Sequence, residues 1–165
     1  MTTAEQQHLG DLIEDMPIAM MTTHHDGTLR SVPMARQAVV DGGQLWFLTA
    51  RSTAHVRDIE RDPEVGLTFS GRSSWVSVTG RALVLDDRSL IRDLWDGFDE
   101  AWMPEGPEDP EVVLLRVDVD AGEYWDAPGS STAATLLSFA KAKLTGDTLD
   151  ADHGTVNRAD APTDR

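Results

Sequence analysis

The sequence predicts a mainly β protein with α additions, built around a small antiparallel barrel of about six strands. Three observations support this fold class. Apolar segments of strand length follow one another and are separated by tight-turn signals such as Asp26-Gly27. One short helical segment interrupts them in mid-chain, and further helices are expected at the periphery. The strands do not alternate with long helices, which argues against a doubly wound parallel sheet.

In the first part of the chain, helix and strand signals follow in a simple order. Residues 3–16 are predicted to form an amphipathic helix, because their apolar residues recur at helical spacing before Pro17. Three strands of an antiparallel meander are predicted next, at residues 17–24, 29–40 and 44–49. Ser52 or Thr53 can begin a short helix over residues 53–62, which Pro63 ends.

The second part of the chain adds strands, two helices and a polar tail. Gly80 indicates a bulge or a close backbone approach in its strand. A helix is predicted to begin at Asp86 or Asp87. Further strands are predicted at residues 64–70, 75–86, 112–120 and 122–126, and a final helix at residues 131–144. We therefore expect one domain over residues 1–145, followed by an acidic tail, residues 146–165, without regular structure.

Composition limits the classes of function. A formal charge of −15 disfavours nonspecific binding to nucleic acid or to an anionic membrane. No cysteine is present, which excludes disulfides, thiolate metal sites and a thiol nucleophile. The N-terminus lacks the apolar core of a signal peptide, and no apolar run approaches the roughly 20 residues of a membrane helix. We therefore expect a cytoplasmic protein.

Motifs for metal, nucleotide or acyl-transfer chemistry are absent from the sequence. It contains no G-x-G-x-x-G, P-loop, G-x-S-x-G or H-E-x-x-H pattern. The five histidines show no metal-ligand spacing, and the adjacent His24 and His25 would point to opposite faces of a strand. No metal site is predicted and no catalytic residue can be named, so an enzyme built on this chain would depend on a borrowed cofactor.

The segment at residues 49–55 joins a strand end to a helix start and is rich in groups that bind anions. A phosphate monoester needs guanidinium groups, hydroxyl donors and backbone N–H groups at a helix N-terminus, and this segment offers all three. The turn at residues 41–43 places Arg30 near the same point. Residues 27–85 carry seven arginines and only five acidic residues, in an otherwise acidic chain. Two interpretations remain open: an anion site, or a capped helix with incidental arginines.

Five segments together resemble a known family. They are LRSVPM, LWFLTARSTAHV, WVSVTGRALVLDD, AWMPEGPEDPEVVLLRVD and GEYWDAPGS. The chain resembles the pyridoxamine 5′-phosphate oxidase-like, FMN-binding split-barrel proteins, and within them the bacterial general stress protein group. The similarity runs from about residue 5 to about residue 145. Its most specific features are the Arg-x-x-Pro-Met strand, the Trp-Phe-x-Thr strand and the late Tyr-Trp-Asp.

The resemblance implies a homodimer with two FMN sites at the subunit interface. Arg30, Thr53 and His55 would hold the flavin phosphate, with Thr49 at the strand end. Val32 and Pro33 would lie beside the ring, and two tryptophans would approach the flavin or serve the core and interface. The cofactor-binding residues that the resemblance implies are Arg30, Ser31, Val32, Pro33, Leu48, Thr49, Arg51, Ser52, Thr53, His55, Trp102 and Trp125.

One position departs from the family pattern, in which a lysine usually stands where this chain has His55. A histidine is shorter and only partly charged at neutral pH. We expect weaker phosphate binding unless Arg51 or Arg57 compensates. The resemblance implies an FMN-dependent oxidoreductase acting on an unidentified small molecule. The alternatives are a non-catalytic flavin buffer or sensor, and the same barrel with a deazaflavin or haem.

Overall fold

Six strands close into an antiparallel barrel in the computed structural model, which describes residues 10–40, 43–126 and 152–157. Hydrogen bonds join the strands in the order β3-β2-β1-β4-β5-β6, and β3 also pairs with β6, which closes the barrel. The strands are β1 (Ile18–His25), β2 (Thr28–Val40), β3 (Gln44–Ala50), β4 (Glu64–Ser70), β5 (Ser74–Leu85), β6 (Val112–Asp126) and β7 (Asp152–Asn157). The predicted fold class, a six-stranded antiparallel split barrel with added helices, is confirmed.

The described residues also contain three helices, and residues 10–14 form a further helical turn before β1. They are α1 (Ala54–Arg61), α2 (Arg88–Leu94) and α3 (Gly97–Trp102). Within the part of the chain that the structure describes, none of the helices has both the length and the apolar character needed to cross a bilayer.

The first hairpin turns at Asp26-Gly27, as its sequence signal predicts. Both residues have positive φ, 46° and 80°, which is the conformation of the two-residue turn that matches strand twist. The turn fixes the register of β1 against β2, so that Thr23 lies directly opposite Arg30. This register places the end of β1 and the start of β2 together at one end of the barrel.

Alternation along the strands builds two apolar cores. Side chains such as Phe47, Phe69 and Leu115 fill the barrel interior, together with Val56 and Ile59 from α1. On the outer face of β3 and β6, a second core packs against α2 and the following loop, and its buried members are Trp46, Leu48, Ile91, Val112 and Leu114. Strand β3 is therefore buried on both faces, which accounts for its continuous apolar sequence.

The barrel is open between β2 and β3 at one end. Their ladder runs from Val40 opposite Gln44 to Arg36 opposite Phe47, and it ends there among the described residues. Beyond Phe47, residues 48–50 continue to pair with β6, while residues 28–35 of β2 continue to pair with β1. The two strands therefore diverge, and the chain crosses this end of the barrel through α1.

Two element boundaries differ from the sequence prediction. The strands predicted at residues 112–120 and 122–126 form one continuous strand, β6, because the register shift opposite Thr79 and Gly80 lets both halves pair with β5. The helix predicted to run through Trp95 and Phe98 is divided into α2 and α3, since Trp95 is extended at the end of α2. Residues 3–9 of the first predicted helix and the final predicted helix lie outside the described residues.

The predicted absence of structure after residue 145 does not hold for Asp152–Asn157. These residues form β7, which pairs antiparallel with residues 121–126 of β6. The physical reason lies in β6, whose pairing with β3 ends at Asp118 in the described ladders and leaves its later residues as an edge. A strand that pairs with such an edge through its main chain needs few apolar side chains, so the polar composition of this segment did not predict a strand.

We predict that Gly80→Ala destabilises the barrel, whereas Gly66→Ala does not. A Cβ at Gly80 would lie 2.3 Å from the main-chain oxygen of Asp118, so the β5–β6 bulge would have to move. At Gly66, apart from its chain neighbours, the nearest atom to an added Cβ is the Cβ of Thr22, at 3.9 Å, an ordinary contact. We expect Gly80→Ala to lose about 1–3 kcal/mol of unfolding free energy, measured by denaturant titration. Equal stability of the two variants would contradict this account of the bulge.

Candidate functional site

Polar side chains collect where β2 and β3 diverge. Thr49, at the end of β3, and His55, in the first turn of α1, are each 8% exposed, and their side chains meet at 2.9 Å between Oγ1 and Nε2. Arg30 lies on β2, on the other side of the opening, and its guanidinium contacts Nε2 of His25, whose Nδ1 contacts Asp58 on α1. The structure therefore groups three of the residues that the sequence predicts to bind an anion.

The N-terminus of α1 opens into the same place without a side-chain cap from its first residue. Thr53 is the N-cap residue, but its hydroxyl donates to the carbonyl oxygen of Ala50 at 2.8 Å and accepts no hydrogen bond from the amides of the helix. The first amide N–H groups of an α-helix have no partner within the helix itself. The first turn of α1 also carries no acidic residue. This end of the helix therefore retains its capacity to bind an anion.

Hydrogen bonding assigns the donors around His55. Because the proton of Thr53 is used on Ala50, the Thr53 oxygen accepts from Nε2 of His55, at 3.2 Å. Nε2 therefore carries a proton, and the same N–H reaches the oxygen of Thr49. The hydroxyl proton of Thr49 is then available to a ligand.

Behind this opening runs a chain of four polar side chains. The guanidinium of Arg30 lies 2.6 Å from Nε2 of His25, and Nδ1 of His25 lies 2.8 Å from Oδ1 of Asp58. Thr23 donates to the second carboxylate oxygen of Asp58 at 3.2 Å. Asp58 lies on α1, three residues after His55, so the chain ties β1 and β2 to the helix. In the described residues, Arg30 is connected to Asp58 through His25 rather than by a direct ion pair.

Two groups in the cluster have shifted pKa values. Burial lowers the pKa of His55, and the charge of Arg30 acts in the same direction, while Asp58 opposes them. Burial raises the pKa of Asp58, but hydrogen bonds from His25 and Thr23, with the nearby charge of Arg30, outweigh it and leave that pKa below its ordinary value. At neutral pH His55 is therefore neutral and Asp58 is ionised.

The donor set suits a phosphate group. It combines a guanidinium, a hydroxyl proton on Thr49 and the first amides of α1, which are the groups that bind phosphate monoesters in proteins. The residues present therefore fit the phosphate end of a cofactor such as FMN.

The other arginines of the segment point elsewhere. Arg51 donates to the carboxylate of Asp86 at 2.7 Å, and both side chains are exposed. The guanidinium of Arg57 donates to the carbonyl oxygen of Ser52. Neither arginine points its guanidinium at His55, so the compensation expected from the sequence is not visible in this arrangement.

Strand alternation separates the remaining predicted residues of β2 and β3. Val32 packs against the barrel core on the same face as Arg30, while Pro33 lies opposite Met20 in the ladder. Ser31 faces outward and its Oγ lies 2.6 Å from Oγ1 of Thr22. Leu48 belongs to the second core, outside the barrel. Ser31 and Leu48 are therefore turned away from the Arg30–His55 cluster in this chain.

The two predicted tryptophans lie on the surface. Trp102 ends α3 and is 73% exposed. Trp125, which is 36% exposed, lies directly opposite Trp75 in the β5–β6 ladder. Ile18 is also exposed and lies at the far end of β1 from Thr23 and Arg30.

Sequence reasoning missed three members of the cluster: Thr23, His25 and Asp58. The histidine pair was expected only to divide between two faces of a strand, and it does, since His24 contacts Asp62 while His25 contacts Asp58. A usable signal existed in the spacing, because Thr23 and His25 share one face of β1 and Asp58 follows His55 by one helical turn.

Comparison with known proteins gives a consistent result. The sequence profile of the family described as pyridoxamine 5′-phosphate oxidase like matches residues 4–150. The chain is also 32% identical over 134 residues to protein bli-3 of Neurospora crassa, covering 72% of this chain and 64% of that protein. The chain thus spans less than two thirds of the length of this curated relative.

Solved structures share the fold. General stress protein 26 from Jannaschia sp. CCS1 superposes with a TM-score of 0.75 at 29% identity, covering 94% of this chain and 99% of that one. A general stress FMN/FAD binding protein from Xanthomonas citri gives a TM-score of 0.65 at 25% identity, covering 76% and 90%. General stress protein 26 from Bacillus anthracis str. Sterne has the same fold, with a TM-score of 0.67 at 23% identity over 73% and 92%.

We predict that His55 makes the stability of the chain depend on pH. Its pKa lies below the ordinary value of 6.5 in the folded chain, so below that pH the unfolded chain binds more protons and the folded state loses stability. His55→Gln keeps a side chain that can hydrogen bond but cannot titrate. The stability advantage of the wild type over this variant should be constant above neutral pH and should shrink as the pH falls below 6.5, as measured by denaturant unfolding. An advantage that stays constant through this range would contradict the assignment.

Proposed function

The chain belongs to the pyridoxamine 5′-phosphate oxidase-like family, and from this premise we propose that it binds FMN as a flavoprotein of the general stress group. The observation that carries the proposal is the placement of Arg30, held through His25 and Asp58, and of the uncapped start of α1 at the opening between β2 and β3. The general stress protein from Xanthomonas citri, which shares this fold, is described as binding FMN or FAD.

Each group of the cluster has a role in this proposal. Arg30 and the first amides of α1 hold the phosphate, and Thr49 donates its free hydroxyl proton beside them. His55 holds the two threonine hydroxyls in place through its Nε2 proton. Val32 lies beyond Arg30 on the same face of β2, where it offers an apolar surface to the flavin ring and excludes water from it.

The reaction class that we propose is oxidation–reduction of a small molecule. When bound, the flavin supplies reversible acceptance of a hydride or of electrons. The chain contributes binding, orientation and exclusion of water; no side chain is assigned a proton-transfer role.

We further propose that the chain works as a homodimer with the flavin at the interface. The outer face of the barrel presents large apolar side chains: Ile18 and Met20 on β1 and Trp75 on β5, at 41%, 42% and 46% exposure, with Trp125 opposite Trp75 on β6. A second copy of the chain would cover this face. Clustered exposed aromatic and apolar groups of this kind are typical of protein interfaces.

The purified chain is predicted to elute as a yellow dimer. Size-exclusion chromatography with light scattering and absorbance detection measures mass and cofactor together. We expect one peak at twice the mass of the chain with flavin absorbance, either as isolated or after incubation with FMN. A Soret band or a violet-shifted deazaflavin band would replace the proposed cofactor, and a colourless chain that takes up no FMN would contradict the function. Bleaching of the bound flavin by NADH or NADPH separates an oxidoreductase from a flavin store.

We predict that Arg30→Ala weakens FMN at least about tenfold but leaves riboflavin affinity nearly unchanged. Riboflavin lacks the phosphate, so it measures binding of the ring and ribityl chain alone. The matched control is Arg81→Ala, which removes an exposed guanidinium that pairs with Glu64 on the outer face of the barrel. Quenching of flavin fluorescence gives the affinities of the three proteins for the two ligands. Equal FMN affinity in the wild type and Arg30→Ala would contradict the proposed phosphate site.

A further inference from the structure

We propose that His25 and Asp58 form a relay that positions Arg30 for the flavin phosphate. Asp58 sets the tautomer of His25, and His25 then holds the guanidinium of Arg30 at the opening of the barrel. The inference rests on the proposed function for its ligand, while the relay itself is a property of the chain without ligand. Neither His25 nor Asp58 is among the residues that the family resemblance implies.

The direction of each hydrogen bond in the relay follows from the groups present. A guanidinium can only donate, so Nε2 of His25, 2.6 Å from Nη2 of Arg30, must accept and carries no proton. The proton of the neutral ring is therefore on Nδ1, which donates to Oδ1 of Asp58 at 2.8 Å. An ionised carboxylate is the acceptor that favours this tautomer, and the pKa of Asp58 is lowered in the folded chain.

Burial anchors the far end of the relay. Asp58 is 2% exposed and Thr23 is 1% exposed, and the hydroxyl of Thr23 donates to the second oxygen of Asp58. Both carboxylate oxygens are thus occupied by donors on β1, and the carboxylate cannot rotate without losing one of them. The side chain of His25 is 29% exposed, because it connects the buried carboxylate of Asp58 to Arg30 at the opening of the barrel.

Other charged groups around His25 do not displace Arg30 from its ring. Asp26 places a carboxylate oxygen 3.7 Å from Nε2, which is beyond hydrogen-bond distance, and its other oxygen pairs with Arg61 at 3.3 Å. His24, the adjacent residue, points to the opposite face and contacts Asp62 at 2.7 Å. The ring of His25 therefore faces Asp58 on one side and Arg30 on the other.

A relay of this kind matters because Arg30 stands at an open edge. An arginine side chain loses substantial rotational freedom when it is fixed on a ligand, and prior positioning reduces that loss. Arg30 keeps further N–H donors for a phosphate after one of them is used on His25. His25 thus fixes the direction of the guanidinium and leaves its other donors free.

The first test needs no ligand, and it uses a variant of the relay only to assign a signal. Nitrogen NMR of histidine-labelled wild-type chain distinguishes the two neutral tautomers and the charged ring, with His25→Ala used to assign the signal. We expect the Nδ1–H tautomer for His25 near neutral pH. An Nε2–H tautomer or a charged ring at that pH would overturn the relay, whatever the chain binds.

The second test measures the effect on Arg30 and uses the neighbouring histidine as its control. His25→Ala should weaken FMN about tenfold and change riboflavin affinity less than about twofold, whereas His24→Ala should leave both within about twofold of the wild type. If His25→Ala instead damaged the fold, it would weaken the binding of FMN and of riboflavin equally. That outcome would overturn a positioning role for His25.

The double variant completes the test. If His25 acts through Arg30, His25→Ala should weaken FMN by less than about twofold when Arg30 is already alanine, whereas independent roles would give multiplied losses and overturn the proposal. A wild-type chain that binds no FMN but shows the Nδ1–H tautomer contradicts the proposed function and leaves the relay supported. A chain that binds FMN with His25 in another protonation state overturns the relay alone.

Discussion

The parting of β2 from β3 after the Arg36–Phe47 pair is the constraint on which the site depends. A closed ladder would leave no gap at this end of the barrel, and interior-facing positions beyond this pair would be filled with apolar side chains. Because the strands diverge, the interior-facing Arg30 and Thr49 reach an opening instead of the core. Helix α1 crosses that opening and directs its N-terminus into it. Strand pairing, helix position and the polar cluster are thus one arrangement.

A buried carboxylate beneath the proposed anion site needs a physical reason, since it would repel an anionic ligand. The reason is that the two oxygens of Asp58 accept hydrogen bonds from His25 and Thr23, and the negative charge stabilises these two bonds. Burial of an ion without such partners would cost several kcal/mol, so the hydrogen bonds are a condition for its presence. The repulsion is offset by the guanidinium that stands between Asp58 and the opening of the barrel, at the other end of the His25 ring.

Much of the fold can be predicted from local signals, while features that depend on distant pairing cannot. Neighbouring residues are enough to predict three features: the Asp26-Gly27 turn, the alternating strands and the bulge at Gly80. Strand β7 could not be predicted, because it forms on an edge of β6 that exists only once the barrel has closed. For the site, Arg30, Thr49 and His55 follow from anion chemistry and family resemblance. Local spacing places His25 on the face of Thr23 and Asp58 near His55, but the contact of His25 with Asp58 spans 33 positions, and nothing local pairs the two residues.

The cluster carries little net positive charge, so the binding of a phosphate would depend on the positions of its hydrogen-bond donors. Arg30 and Asp58 cancel formally, His55 is kept neutral by burial, and His25 must be neutral to accept from Arg30. A lysine at the position of His55 would add a full positive charge, and this chain has none there. Attraction of a phosphate therefore depends on how well the donors of Arg30, Thr49 and α1 are aimed, since the site has no surplus of positive charge. In a site of this kind the direction of the arginine matters. We propose that the hydrogen bonds linking Thr23, Asp58 and His25 hold the guanidinium of Arg30 in that direction.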